Sequence, residues 1–250
     1  MSLYTEIHML ASLWNRILES LSDISNNPLS LIILALITAL IVSLLIASVS
    51  TTWRKFLVRS WILEENEPPT SLLVWVIGII LAVQFINVYV VQSFIVDGGS
   101  MLPTFHDKEF LLVDKLSYRI DTPHRGDVAI FKFYEGTGNQ YEGKYLIKRI
   151  IGLPGERIVV QNGVTTIYNT EHPEGLVIDE SYVTHRDLTK NVDTTLGDHQ
   201  YFMMGDNRAQ SYDSRLWGPL DEQNLRGQVL FRVYPFGSAG YEPGRHVYTN

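Results

Sequence analysis

Two stretches without a charged side chain, residues 24–53 and 68–96, decide what this chain can become. Within the first, residues 31–49 are almost continuously Leu, Ile, Ala and Val, close to the roughly 20 residues that cross a bilayer core. The second is densest at 72–83 and extends to about residue 91, with Gln84 and Asn87 in its outer half. Both read as transmembrane helices, at 29–50 and 71–92. A cleaved leader is the rival for the first, with Ala47-Ser48-Val49 faintly resembling a cleavage site. The length of the run, the single upstream basic residue Arg16 and the basic segment that follows argue against it. Two buried helices of a soluble domain are the rival for the pair. A hydrophobic content of 46% is high for a wholly soluble chain, and these runs account for the excess.

The linker between them, 51–70, carries Arg54, Lys55 and Arg59, then Glu64, Glu65, Glu67 and a Pro68-Pro69 break. The positive-inside bias therefore puts the linker in the cytoplasm, with the N-terminus and everything after about residue 92 on the far side. Residues 1–28 place Ile7, Leu10, Leu13, Trp14, Ile17 and Leu21 at helical spacing, an amphipathic segment broken at Asn26-Asn27-Pro28. It reads equally as a helix on a membrane surface or as a frayed terminal helix. A net charge of −7 without a dense Lys/Arg block lacks the footprint of a nucleic-acid binder. The absence of cysteine excludes a thiolate nucleophile, a thiolate zinc site and a disulfide framework.

Residues 93–250 change character. Short β-rich runs at 110–113, 128–133, 145–151, 157–160, 164–168, 201–204 and 229–234 read as strands, and Gln161-Asn162-Gly163 as a hairpin turn. No long apolar-periodic helix remains, so a mostly β domain of barrel or sandwich character is expected. Residues 171–198, with Pro173, Gly175, Gly197 and many charges, read as an exposed excursion.

Three features of this domain carry chemistry. In Val96-Asp97-Gly98-Gly99-Ser100-Met101-Leu102-Pro103-Thr104, two glycines and a proline hold Ser100 on a side-chain-poor turn, leaving its backbone N–H able to face a ligand oxygen. The same pattern also fits an ordinary turn. A serine needs a base; His106, His124, His172, His185, His199 and His246 mostly sit in polar or turn contexts. Lys148 differs, because it shares a strand face with Leu146 and Ile150 while Ile147 and Ile151 take the other. Desolvation there would lower its pKa and make it a base; an edge lysine reaching water is the plain alternative. The polar run from Gly205 to Gly218 holds Asp206, Arg208, Asp213 and Arg215, which could form a paired network, with Ser211 available to orient an amine.

Four stretches in this order resemble the bacterial type I signal peptidases, membrane-bound serine proteases with a Ser/Lys dyad. They are Gly99-Ser100-Met101-Leu102-Pro103-Thr104, Arg125-Gly126-Asp127-Val128, Lys148-Arg149-Ile150-Ile151-Gly152-Leu153-Pro154-Gly155-Glu156, and Gly205-Asp206-Asn207-Arg208 through Ser211, Asp213, Ser214, Arg215 and Trp217-Gly218. The resemblance implies a signal-peptidase-like β fold after two membrane helices, Ser100 as nucleophile and Lys148 as general base. It implies Ser211 as the residue orienting the amine, and Asp213 with Arg215 as a supporting ion pair. The backbone N–H of Ser100 would be one oxyanion donor. Where many members carry a serine for the second, this chain has Gly98, so either a backbone group replaces the hydroxyl or the hole is weaker. Phe94, Val96, Met101, Phe105, Leu146 and Ile147 match or adjoin positions lining shallow pockets for small side chains. The implied partners are secretory preproteins with Ala-x-Ala-like signal-peptide ends, the lipid bilayer and the translocation machinery. The implied site lies on the extracytoplasmic side of the bacterial cytoplasmic membrane and needs no metal or cofactor. A catalytically silent membrane-anchored β domain and a self-cleaving Ser/Lys protease remain as rivals.

Overall fold

The computed structural model describes residues 28–60, 62–64, 68–134, 136, 138–246 and 248, which fall into two compact units divided at Val90. The amphipathic segment expected at 1–28 lies outside the described residues apart from Pro28.

The first unit is helical. Helix α1 (Pro28–Val49) starts at a proline, whose fixed φ suits a first helical turn, and runs on through Leu, Ile and Ala. Helix α2 (Thr51–Arg59), within the expected linker, is capped by Ser50, whose hydroxyl accepts the Trp53 N–H. It packs Leu57 with Leu44, Ala47 and Leu63, and Trp53 Nε1 donates to Ser43 Oγ at 3.0 Å. Helix α3 (Pro69–Tyr89) again has proline in its first turn. Among the described residues one stretch is long and apolar enough to cross a membrane, Pro69–Ile86 with mean hydropathy 2.2; α1 contributes a shorter apolar stretch, Ala35–Val49. Val74, Trp75, Ile79, Leu81 and Phe85 are all exposed on α3, a surface that water would disfavour. The helix also stops earlier than the apolar run suggests. Val90 caps it in the αR region, donating to Ile86 O, and from Val91 the chain is extended, in a strand that gains a hydrogen-bonding partner.

The second unit is mostly β. In order it contains β1 (Val91–Ile95), β2 (Phe110–Asp114), α4 (Ser117–Ile120), β3 (Val128–Lys132), β4 (Tyr145–Gly152), β5 (Arg157–Gln161), β6 (Val164–Tyr168), β7 (Leu176–Val177), β8 (Val192–Thr195), β9 (Gln200–Met204), α5 (Ser214–Trp217), β10 (Leu220–Asp221), β11 (Leu225–Tyr234) and β12 (Gly240–Tyr241). The larger antiparallel sheet runs β1-β2-β11-β3-β4-β9-β10, with β12 on β11; the smaller runs β7-β6-β5-β8. Alternation divides the core. Val96, Met101, Phe105, Leu111, Val113, Val128, Ile130, Ile147 and Val229 pack together, while Ala129, Phe131, Phe133, Ile150, Tyr201, Met203 and Leu220 form a second cluster. Ile151, Ile158, Ile167, Ile178, Leu196 and Phe202 belong to a third cluster, around the smaller sheet. Gly152 is needed in that third region, because a Cβ there would fall within 2.8 Å of Ile158.

The stretch 171–198 is largely exposed, as its composition suggests, but it is also tied to the core. It supplies β7 and β8 and buries Ile178, Glu180, Val183, Asp187 and Leu196. Its two buried carboxylates are paired: Arg208 reaches Glu180 at 2.6 Å, and Asp187 accepts from Thr189 and pairs with Lys190.

Candidate active site

Strand β4 carries Lys148 opposite Ala129 of β3, where a small side chain leaves room for a four-carbon stem. The lysine is 3% exposed. Its Nζ donates to Ser100 Oγ at 2.8 Å and to the Ile147 carbonyl at 2.8 Å. Burial favours the neutral amine, and although Asp213 and Asp206 pull the other way, the pKa falls to about 8. Ser100 sits in the loop joining β1 to β2, on a turn in which Leu102 N–H donates to Gly99 O. The Leu102–Pro103 peptide that follows is cis.

This turn is pinned from two sides. Asn207 donates from Nδ2 to Gly99 O at 3.1 Å and from its backbone N–H to Ser100 O at 3.0 Å. Because the peptide unit is planar and trans, fixing Gly99 O sends the Ser100 N–H the opposite way. Neither that N–H nor the Gly99 N–H has an acceptor among the described residues. The Gly98 N–H, by contrast, is bonded to Asp107 Oδ1 at 2.8 Å, so the backbone group expected there as an oxyanion donor is already taken. Gly98 has φ +89°, a region that L side chains enter only under strain.

Behind the lysine lie two ionic brackets. Arg149, fully buried, is held by Asp206 through Nε–Oδ1 at 2.8 Å and a second bond at 2.6 Å, and also donates to the carbonyls of Gly126 and Gly244. Thr104 Oγ1 donates to the same Asp206, tying the nucleophile loop to the lysine strand. Arg215 and Asp213 form a two-bond pair at 2.9 and 2.8 Å, and Asp213 also caps α5 and accepts the Gly205 N–H. Burial alone would raise the Asp213 carboxyl; the Arg215 guanidinium overrides it and holds the pKa below its usual value. The pairing expected inside the polar run therefore holds for Asp213 and Arg215. Asp206 and Arg208 look outward instead, to Arg149 and Glu180. Ser211 is buried near Gly205, with its hydroxyl next to the Asp213 carboxylate; the contacts of the amine are Ile147 O and Ser100 Oγ.

Ser100 and Lys148 open on a cavity of about 240 Å³. Phe94, Val96, Leu146 and Ile147 line it, but Met101 and Phe105 do not; at 1% and 0% exposure they are core residues behind the wall. The sequence reading missed the far wall: Tyr145, in edge-on contact with Phe94, and Tyr141 stacked on Tyr212 at 5.0 Å. Ile95, Leu111, Ile130 and Gln210 complete it, and no histidine is among the described lining residues. Two strand edges border this space. Among the described residues, 93–95 of β1 pair with β2, and 146–148 of β4 pair with β3, β9 joining β4 from Arg149 onward.

Comparison with known proteins finds a family and relatives for this chain. The sequence profile of the family described as signal peptidase, peptidase S26, matches residues 69–234. A probable signal peptidase I-1 of Synechocystis sp. is 32% identical over 193 residues, covering 74% of this chain and 92% of that protein. Signal peptidase I V of Bacillus subtilis is 37% identical over 162 residues, covering 62% of this chain and 92% of that protein. A crystal structure of a signal peptidase I from Enterococcus faecalis is 25% identical, covering 44% of this chain and 97% of that chain at a TM-score of 0.34.

Proposed function

The chain belongs to the signal peptidase S26 family, and from that premise we propose that it is a membrane-bound serine endopeptidase that removes signal peptides from translocated preproteins. Ser100 is the nucleophile and Lys148 the general base. The observation that carries this is a single contact: a buried lysine amine 2.8 Å from a serine hydroxyl at the rim of a cavity.

The geometry supports a complete acyl-transfer cycle. With Lys148 neutral, the same 2.8 Å contact runs in reverse, and the Ser100 hydroxyl donates to Nζ. As Oγ attacks the scissile carbonyl its proton passes to the amine, and the developing oxyanion meets the Ser100 N–H, with the unpaired Gly99 N–H beside it. The ammonium then protonates the departing amine of the mature chain, leaving the signal peptide esterified to Ser100. Lys148, neutral again, activates a water that releases the peptide as a carboxylate. Asp213 with Arg215, and Asp206 with Arg149, hold strand and loop in register during these proton transfers; Ser211 sits beside Asp213 and Gly205 in the same support.

An extended substrate fits between residues 93–95 of β1 and 146–148 of β4, where it gains main-chain hydrogen bonds on both sides. About 240 Å³ shared among the side-chain positions suits small residues, hence Ala-x-Ala-like ends. Helices α1 and α3 both span the bilayer, with 51–70 in the cytoplasm and the catalytic domain, 93–250, on the extracytoplasmic face of the cytoplasmic membrane. That anchoring keeps the site near emerging cleavage points and close to the translocation machinery.

The test is cleavage of a preprotein bearing one Ala-x-Ala site by the full chain in detergent, with the cut mapped by mass spectrometry. Cleavage after the second alanine is expected; an intact preprotein beside folded protein returns the choice to a silent binding domain. The pH profile tests the base. Only the neutral amine acts, so kcat/KM rises with pH and levels off above a limb near the Lys148 value of about 8. A limb near 6.5, the range of histidine, would reassign the base.

A further inference from the structure

We propose that Asp107 is a positioning residue for the reaction at Ser100: by accepting the Gly98 N–H it fixes the turn that aims the Gly99 and Ser100 N–H groups into the cavity. The inference rests on the reading of Ser100 as nucleophile and concerns how its oxyanion donors are held.

Four peptide units run from Asp97 to Met101, and the structure restrains the outer ones from opposite sides. Asn207 holds the two that follow Gly99 and Ser100, through their carbonyls. Asp107 holds the one preceding Gly98, through its N–H at 2.8 Å. The unit between Gly98 and Gly99 has no bond of its own and carries the Gly99 N–H. Its direction follows from the dihedrals of two glycines, the residues with the least intrinsic restriction. Both ends must therefore be fixed for that N–H to point one way. Removing Asp107 frees the Gly98 end, and the φ of +89° there has no side-chain contact to preserve it.

The carboxylate is itself well placed to act as a clamp. Val96 N–H donates to Glu109 O and Lys108 N–H to Val96 O, closing residues 96 and 108–109 into a narrow stem from which Asp107 reaches across to Gly98. Lys108 takes φ +65°, turning the chain so that Asp107 faces the glycine, and its Nζ lies 3.4 Å from Asp107 Oδ1 and 2.8 Å from Asp97. The Gly98 N–H holds the Asp107 carboxyl below its ordinary pKa, so it is ionised wherever Lys148 is neutral. An acceptor from outside the turn thus does work that no side chain at position 98 could do.

The experiment uses the full chain in detergent, with kcat and KM on an Ala-x-Ala preprotein and hydrogen exchange of residues 94–105, for wild type, Asp107→Ala and Asp107→Asn. In Asp107→Ala we expect kcat to fall about 10- to 100-fold with KM within about twofold, because misaligned donors act on the transition state and not on binding. Asp107→Asn keeps a carbonyl acceptor and should recover to within about threefold of wild type, with the pH limb near 8 unmoved in both. Exchange across 94–105 should quicken in Asp107→Ala alone. Wild-type kcat and unchanged exchange in Asp107→Ala, a loss confined to KM, or an Asn variant as slow as the Ala variant would each overturn the proposal. A wild-type protein that cuts no preprotein, while Asp107→Ala still quickens exchange, would remove the protease reading and leave the clamp.

Discussion

Lys148→Met lowers preprotein cleavage by about 10⁴-fold on the plateau above pH 8, and by less below it as the wild-type amine protonates, while the domain stays folded and its melting temperature does not fall. Methionine matches lysine in length and suits a site that is 3% exposed, so the strand loses no packing. What disappears is the amine in contact with Ser100 Oγ. Stability should follow a definite pH course. The folded pKa of about 8 lies below the ordinary lysine value of 10.5, so between these the unfolded chain binds more protons, and wild-type stability rises with pH across that window. Below about pH 8 the wild type carries a buried ammonium that the Met variant lacks, and the variant is the more stable there. Thermal melts at pH 6 and pH 10 check this: the gap in favour of Met should shrink at the higher pH. Undiminished cleavage by Lys148→Met would reject the lysine as base. A wild type that cuts itself but not added preprotein would favour the self-cleaving alternative.

Gly205→Ala is the second large effect, and it works without touching a titratable group. A Cβ at 205 would lie 2.3 Å from Ser211 Oγ and 2.5 Å from the Ser100 carbonyl oxygen. The second neighbour is backbone, already bonded to Asn207 N–H, so relief requires the nucleophile turn to shift bodily. A displacement near 1 Å is enough to cost about 10²-fold in turnover. We expect kcat to fall about 100-fold or more, with the limb near pH 8 retained because Lys148 keeps its buried surroundings. A glycine beside a catalytic serine is commonly assigned to a turn; here its φ is not positive, and the requirement is for close approach. Kinetics within about threefold of wild type would show that the loop yields more easily than this packing implies.

Much of this architecture is legible in the chain, for local reasons. Strands β2 to β6 and β9 start and end within one residue of the limits read from β-branched and aromatic runs. Strand β11 begins four residues earlier than read, because Arg226, Gly227 and Gln228 break the apolar pattern, and Gly227 is there to let Asp114 O approach. Distance along the chain is what hides the rest. Asp206 finds Arg149 57 positions away and Arg208 finds Glu180, whereas Asp213 and Arg215, two apart, could be matched on the page. Residues 171–198 read as solvated, and most are, but a charge count cannot show that Glu180 and Asp187 are the two carboxylates that find partners inside. Met101 and Phe105 border the serine in sequence, yet the turn folds them beneath it into the core. The acceptor for Gly98 N–H is invisible in the same way, since a glycine and an aspartate nine residues apart carry no signal that they meet.

On the proposed reading a substrate strand completes the larger sheet, in the space bordered by residues 93–95 of β1 and 146–148 of β4. A segment that fills the gap has to arrive with its own amides unpaired. Whatever share of the time it spends coiled into helix is time in which it cannot enter, and its apparent affinity falls by that share. Selection therefore acts on chain conformation before it acts on side-chain size: of two segments with identical residues at the cut, the one whose flanks resist helix formation is processed first. The gap reads backbone freedom, and a folded mature domain that keeps its strands paired passes beside it untouched.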